Sequence, residues 1–179
     1  MLETLRDALK TQEMRKKILF TLMMFLIFRI GSHIPVPGID KTQIAALIEQ
    51  IKLLGFFDTI SGSALKNVSI FAMSITPYIN ASIIIQLLTV IFPRLEAIAK
   101  DDRKKIVEYT RYLTVGLGFI QALGMAFYFR NSGAMADASV MSMIIVILSL
   151  TAGTACLMWI GELITEKGIG NGISLIIFA

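Results

Sequence analysis

The feature that most constrains this chain is the alternation of long apolar runs with short charged stretches. Apolar runs over 18–34, 72–92, 112–129 and 140–160 each approach or reach the length a helix needs to cross a bilayer. Hydrophobic residues make up 55% of the 179 residues and charged residues only 17%. That balance excludes an ordinary soluble domain and predicts an all-α polytopic membrane protein. No small-residue cleavage site follows the first apolar run, so the sequence predicts no cleavable signal at its start. The single cysteine, Cys156, lies inside an apolar run and cannot form an internal disulfide. The ten methionines are scattered, as adaptable packing residues are, rather than clustered as metal ligands.

In order, the chain divides as follows. Residues 1–17 read as an amphipathic segment on the membrane surface, with a partner-docking site as the sharper alternative. A first span covers 18–34, near the lower length limit, and carries Arg29, which can snorkel or pair with a neighbouring polar group. An external stretch, 35–67, opens on Pro35, Pro37 and Gly38, which stop the helix. It continues into a surface helix over 41–54 capped by Asp40, with Ile44, Leu47, Ile48 and Ile51 as its apolar stripe. A second span occupies 68–92, its helix expected over 72–92 and ended by Pro93. A basic loop covers 93–111, a third span 112–130, a fourth span 140–160 and a turn-rich connector 161–172. The small-residue patch Thr151–Ala155 suits close helix packing, and Trp159 suits an interface. The fifth apolar run, 173–179, is too short to cross, so the sequence reads as a fragment, or as one half of a larger channel. His33, the only histidine, has no cysteine or second histidine near it in sequence, which argues against a metal site.

Charge supplies an orientation. The segments 1–17, 94–111 and 161–172 hold 12 Lys and Arg residues, against 4 on the opposite side. The positive-inside bias places the N-terminus in the cytoplasm. Phe56–Asn67 is too short to cross and is broken by Ser61, Gly62 and Ser63, so it is expected to enter from outside as a re-entrant piece. The following span holds Thr76, Pro77, Asn80, Ser82 and Gln86, an unusual set for a lipid anchor. Pro77 within the span is expected to free a backbone carbonyl, and that carbonyl and the amide side chains must find partners in protein or water. The span is therefore expected to line something. Ile75 and Ile79 share a helix face that Ser82 and Gln86 continue. That face suits either helix packing or a narrow apolar constriction in a wet pore.

No enzyme constellation is present: no HExxH, no GxSxG, no Walker-type loop and no paired intramembrane aspartates. GIGNG at 168–172 follows an apolar span rather than a strand and reads as a turn and helix start. The basic 94–111 stretch reads as a solvated loop, with a surface for an acidic or RNA-bearing partner as the sharper alternative.

Four stretches carry a resemblance to a known family: FRIGSHIPVPGID (28–40), SGSALKNVSIFAMSITPYINASIIIQLLTV (61–90), RKKIVEYTRYLTV (103–115) and LMWIGELITEKGIGNGISLIIFA (157–179). They resemble the N-terminal half of the SecY family, the large subunits of bacterial protein-conducting channels. The resemblance implies the N-terminal five-helix half of an inverted-repeat channel fold, with a re-entrant plug helix over 57–67 that includes Phe57, Ile60, Ser61, Gly62, Ser63, Ala64 and Leu65. It implies pore-ring positions at Ile75, Ile79 and Ile177, and a lateral-gate surface at Ser82, Ile83, Gln86 and Gln121. It also implies the partners SecE and SecG, the SecA motor, the ribosome with its nascent chain, signal sequences and membrane lipid. No cofactor, metal or specific small-molecule substrate is implied, and the expected location is the bacterial inner membrane. The rival classes are half of a secondary transporter and a structural subunit of a membrane complex.

Overall fold

A computed structural model describes residues 11–40, 68–135, 137 and 139–178. The surface helix expected over 41–54 and the plug expected over 57–67 lie outside the described residues, as do residues 1–10 of the N-terminal segment. The described residues form six α-helices: α1 (Gln12–Gly31), α2 (Thr76–Ile91), α3 (Pro93–Asp101), α4 (Arg103–Asn131), α5 (Val140–Lys167) and α6 (Gly172–Phe178). The only β-type pairing among them is two isolated antiparallel bridges, Pro35 with Ser69 and Ile39 with Met135. By length and composition α4 and α5 can cross a membrane, and α2 with α3 would be a third span if that bent pair is one. α1 falls short of that measure as a whole, because it includes Glu13, Arg15, Lys16, Lys17 and Arg29.

α5 is the helix around which the others assemble: α4, α6 and α1 all pack on it, and α2 packs on α4. Its most apolar window has a mean hydropathy of 2.2 and is 50% buried. One apolar cluster joins the Asn131 half of α4 to α5 through Ala122, Ala126, Phe129, Val146, Ile147 and Leu150. A second joins α1, the lead into α2, α5 and α6 through Met24, Phe28, Phe71, Ile75, Leu157, Ile160, Ile164 and Ile176.

Several boundaries differ from the sequence reading, each for a local reason. α2 starts at Thr76 rather than Ala72, which puts Pro77 in its first turn. There the missing proline N–H costs nothing, so the freed carbonyl anticipated for an interior proline does not arise. The basic stretch 93–111 is helical: Pro93 starts α3, and the chain turns by 111° between α2 and α3. The Asp102 side chain then accepts the Lys104 amide at 3.1 Å and starts α4. α5 runs on through GELITEK to Lys167, since nothing breaks it before Gly168, and the connector shrinks to four residues, 168–171. GIGNG makes a turn with Gly170 at φ 68°, and the Asn171 carboxamide accepts the Ile173 amide at 3.0 Å to open α6. Arg29 is exposed in the last turn of α1, where a cation suits the helix C-terminus, and no carboxylate among the described residues pairs with it. His33 Nδ1 lies 2.8 Å from the Arg29 carbonyl oxygen, so the histidine closes the end of α1.

The lead into α2 is non-helical. Residues 68–75 run through a bridge and successive turns. The Val36 amide donates to the Val68 carbonyl at 2.8 Å, and the Ile70 amide donates to the Ile34 carbonyl at 3.0 Å. Ser69 is fully buried, and its hydroxyl accepts the Phe71 amide at 3.2 Å. Val68 and Ser74 hold φ values of 44° and 53°, a left-handed conformation that costs a non-glycine residue about 1–2 kcal/mol. What holds the segment in place is close packing. The Ile70 carbonyl sits against Gly153, where any Cβ would overlap it. Phe71 covers Gly31 and stacks on Phe28 with ring centroids 5.9 Å apart. Gly153 stands at the midpoint of α5, so this irregular backbone lies at half-height in the helix stack. It is enclosed by protein there, the condition under which non-helical backbone is tolerated at membrane depth.

Because a backbone carbonyl cannot move aside as a flexible side chain can, Gly153→Leu is expected to cost about 3 kcal/mol. Thermal unfolding of the full-length protein in detergent measures it. Gly124→Ala, where an added Cβ meets nothing within 4 Å, is the expected neutral control.

Candidate functional site

A cleft of about 500 Å³ opens between the α2–α4 wall and the α5–α6 wall. α2 contributes Tyr78, Ile79, Ser82, Ile83 and Gln86, which recur at helical spacing along one side. Opposite stand Glu162, Thr165 and Glu166 of α5, with Asn171 and Ile173 at the start of α6. Val107 and Arg111 of α4 complete the lining. The α2 side thus mixes two isoleucines with three hydroxyl or amide side chains, and the facing wall is polar and acidic.

The polar wall is built by close backbone approach between α5 and α6. A Cβ on Gly172 would overlap the Gly161 carbonyl, so only glycine lets the two helices meet there. The Thr165 hydroxyl donates to the Gly161 carbonyl and accepts the Gly172 amide, both at 2.9 Å, which knits the turn to α5. From the far side, Thr21 of α1 accepts the Ile169 amide at 3.3 Å and donates to the Lys17 carbonyl at 2.9 Å. On the opposite wall Gln86 donates to the Ser82 hydroxyl at 3.1 Å, so the two polar side chains of α2 satisfy one another in part. Across the end of the cleft, Arg111 Nε donates to Glu162 Oε1 at 2.8 Å, and Arg111 Nη2 stands 2.8 Å from Glu162 Oε2. This two-pronged pair matches the planar fork of arginine to a carboxylate. The Glu162 side chain is only 13% exposed, while that of Arg111 is 45% exposed and faces the opening.

The structure brings together four of the residues singled out from the sequence: Ile79, Ser82, Ile83 and Gln86 line the same cleft. Ile83 is half-exposed, at 50%, and Gln86 is exposed. Ile75 lies apart. It is 1% exposed, inside the cluster with Phe28, Phe71, Leu157 and Ile176. Ile177 is exposed on α6, and Gln121 is partly buried on α4, and neither lines the cleft. The plug positions fall outside the described residues. Sequence reading missed the far wall. Arg111 and Glu162 were assigned to a loop and a connector, and their pairing joins residues 51 apart. The available signal is the absence of any helix breaker between Asp102 and Arg111 and between Gly161 and Lys167.

Comparison with known proteins agrees with this architecture. The sequence profile of the SecY family matches residues 69–179. The chain is 46% identical to the protein translocase subunit SecY of Streptomyces scabiei over 99% of its length, which is 45% of that protein. It is 48% identical to the SecY subunit of Halalkalibacterium halodurans and 47% identical to that of Bacillus subtilis, each over 100% of this chain and 43% of the relative. The chain therefore spans somewhat under half the length of these relatives. In fold it resembles Sec61 in the canine ribosome–channel complex from the endoplasmic reticulum, with a TM-score of 0.63 and 22% identity over 92% of this chain and 35% of that one. A second solved structure, described as a protein-conducting channel, gives the same TM-score of 0.63 and 22% identity. The profile match across the second span, both long helices and the GIGNG turn, together with the relatives' identity along almost the whole sequence, establishes that the chain belongs to the SecY family.

Proposed function

We propose that the chain forms the N-terminal part of a Sec-type channel that passes unfolded polypeptides across the bacterial cytoplasmic membrane and releases apolar segments sideways into lipid. The observation that carries this reading is the cleft beside α2. A helix of mean apolar character there presents Ser82, Ile83 and Gln86 to a 500 Å³ opening, and Ile79 lines the same opening while its other side packs against the apolar cluster of α1, α5 and α6. Membership of the SecY family supplies the transport class. In this reading the N-terminus is cytoplasmic, the five-helix half is completed by a second half, and Phe57–Asn67 acts as the plug.

For a pore ring Ile177 supplies exposed surface and Ile79 a partly buried one, and Ile75 backs them from the core. Isoleucine suits a ring because its seal breaks without losing hydrogen bonds. Ser82, Ile83, Gln86 and Gln121 belong to the gate surface. The partners proposed are SecE, SecG, SecA, the ribosome with its nascent chain, signal sequences and lipid. A secondary transporter would need a small solute held at this cleft and a coupled ion.

The test uses a full-length SecY channel with its partner subunits in proteoliposomes. A photocrosslinker at Ile79 is expected to capture a stalled precursor, and one at Leu148, an exposed position of α5 away from the cleft, is not. Capture at Leu148 alone, or at neither site, overturns the reading. In the same preparation Ile79→Ser is expected to raise ion leak through the resting channel several-fold. Ile75→Ser is expected to raise leak as well and also to cost about 2–4 kcal/mol of stability, because it removes buried apolar volume. Unchanged conductance in both variants would remove the ring assignment.

A further inference from the structure

The two halves of the α4–α5 interface are held by different forces. Toward Asn131, α4 and α5 share an apolar cluster in which Ala122, Ala126, Val146 and Leu150 are fully enclosed. Toward Arg103 they share none: the second apolar cluster joins α1, the lead into α2, α5 and α6, and includes no residue of α4. The buried α4 residues at that end are Thr110 and Thr114, and both hydroxyls turn back to their own helix, donating to the Ile106 and Thr110 carbonyls at 2.8 and 2.7 Å. Between the two halves stands a close approach at Gly118. A Cβ there would lie 3.5 Å from Thr154 Cγ2 and 4.0 Å from Pro77 Cβ.

Above that point the Arg111–Glu162 pair spans the end of the cleft. The other ion pairs between described residues, Glu96–Lys100 and Asp102–Lys105, are local to α3 and the start of α4, so this is the one that joins two helices. Glu108 and Glu166 also act on Arg111, which puts one guanidinium among three carboxylates.

We propose that Arg111–Glu162 is a latch that sets the width of the cleft, with Gly118 against Thr154 and Pro77 as the pivot. α4 carries α2 with it because the two pack together. Tyr78 and Ile79, next to the pivot, stay packed on the apolar cluster of α1, α5 and α6, so release of the latch tilts the α2–α4 wall away from α5 and α6 and widens the opening farther along, beside Ser82, Ile83 and Gln86. Removing Arg111 does more than delete a contact. It leaves the largely enclosed Glu162 carboxylate without its counter-charge and beside Glu166 of the same helix, so that the carboxylate gains by reaching water as the two walls part. Arg111→Glu is therefore expected to open the cleft further than Arg111→Gln, and Arg111→Lys, which keeps the charge but not the fork, least of all. Arg111 and Glu162 act here as positioning residues for the channel wall. Their effect on transport rests on the function proposed above, whereas their effect on cleft width does not.

The test separates the two. In a full-length channel with its partner subunits and Cys156 replaced, spin labels at Lys104→Cys and Lys167→Cys report the separation of the α4 and α5 ends. Without any precursor, Arg111→Glu and Glu162→Arg are each expected to lengthen that distance by about 5 Å, the displacement that a tilt of roughly 15° gives over an arm of about 20 Å. The double reversal Arg111→Glu with Glu162→Arg is expected to restore the parent distance. In transport assays the single variants are expected to accept a precursor with a weakened signal several-fold better than the parent, and the double variant is expected to return to the parent rate. An unchanged distance in both single variants, or a double variant as wide as the singles, overturns the latch. If the single variants fail to assemble, Arg111→Lys and Glu162→Asp give the same comparison with smaller displacement. A distance that opens and closes as expected while no variant transports a polypeptide leaves the latch standing and overturns the proposed function instead.

Discussion

The seat of the Ile70 carbonyl on Gly153 is the contact on which the rest of the arrangement depends. It lies at half-height, where a membrane helix would ordinarily run without interruption. A side chain at residue 153 would push the lead segment off α5, and with it Phe71 and Ile75, which fill the space between α1, α5 and α6. With the segment seated, α2 begins at Thr76 with Pro77 in its first turn, and its polar residues arrive beside the cleft. Two left-handed residues, Val68 and Ser74, bracket the segment. Their conformational cost is offset by the apolar burial of Val68, Phe71 and Ile75, each no more than 3% exposed.

The same economy of small residues shapes the far wall. Gly161 and Gly172 bring the backbones of α5 and α6 together, and Thr165 converts that approach into hydrogen bonds. The cleft is left open because nothing large fills the space between this wall and α2. Toward the Lys167 end of α5 the polar backbone and the ion pair face the cleft or protein. Outward-facing positions of the bundle match lipid instead: Leu19, Leu26 and Ile30 on α1 and Leu148 on α5 are all exposed and apolar.

Much of this was legible in the sequence. The apolar runs marked α4 and α5, the small-residue patch Thr151–Ala155 marked the helix face that receives Ile70, and Asn171 after two glycines marked the start of α6. The spacing of Ile75, Ile79, Ser82 and Gln86 marks one helix face and leaves open whether it packs or lines a space; Ile83 enters only through the family resemblance, and of the four Ile75 packs in the core. Two stretches differ. The charge of 93–111 suggests a loop and the glycines of 161–172 suggest a turn-rich connector, yet neither charge nor the lone Gly161 ends a helix here. Pro93, Asp102 and Gly168 do, and the helices obey them. The irregular lead over 68–75 was hidden for the opposite reason. Its residues are apolar enough to read as helix, and only long-range contacts with Gly153, Ile34 and Val36 select turns instead. Ile75 shows the limit of periodicity: it shares a spacing with Ile79, but it stands at the cap of α2 and is enclosed on all sides.

The central claim is therefore the non-helical lead into α2, held at half-height by α5. Backbone carbon-13 chemical shifts of Val68, Ser74 and Thr76, measured by solid-state NMR on the full-length protein in bilayers, test it directly. They should give left-handed values at Val68 and Ser74, with right-handed helical values from Thr76 onward. A continuous run of right-handed helical shifts from Ala72 through Ser74 into Thr76 would contradict the account.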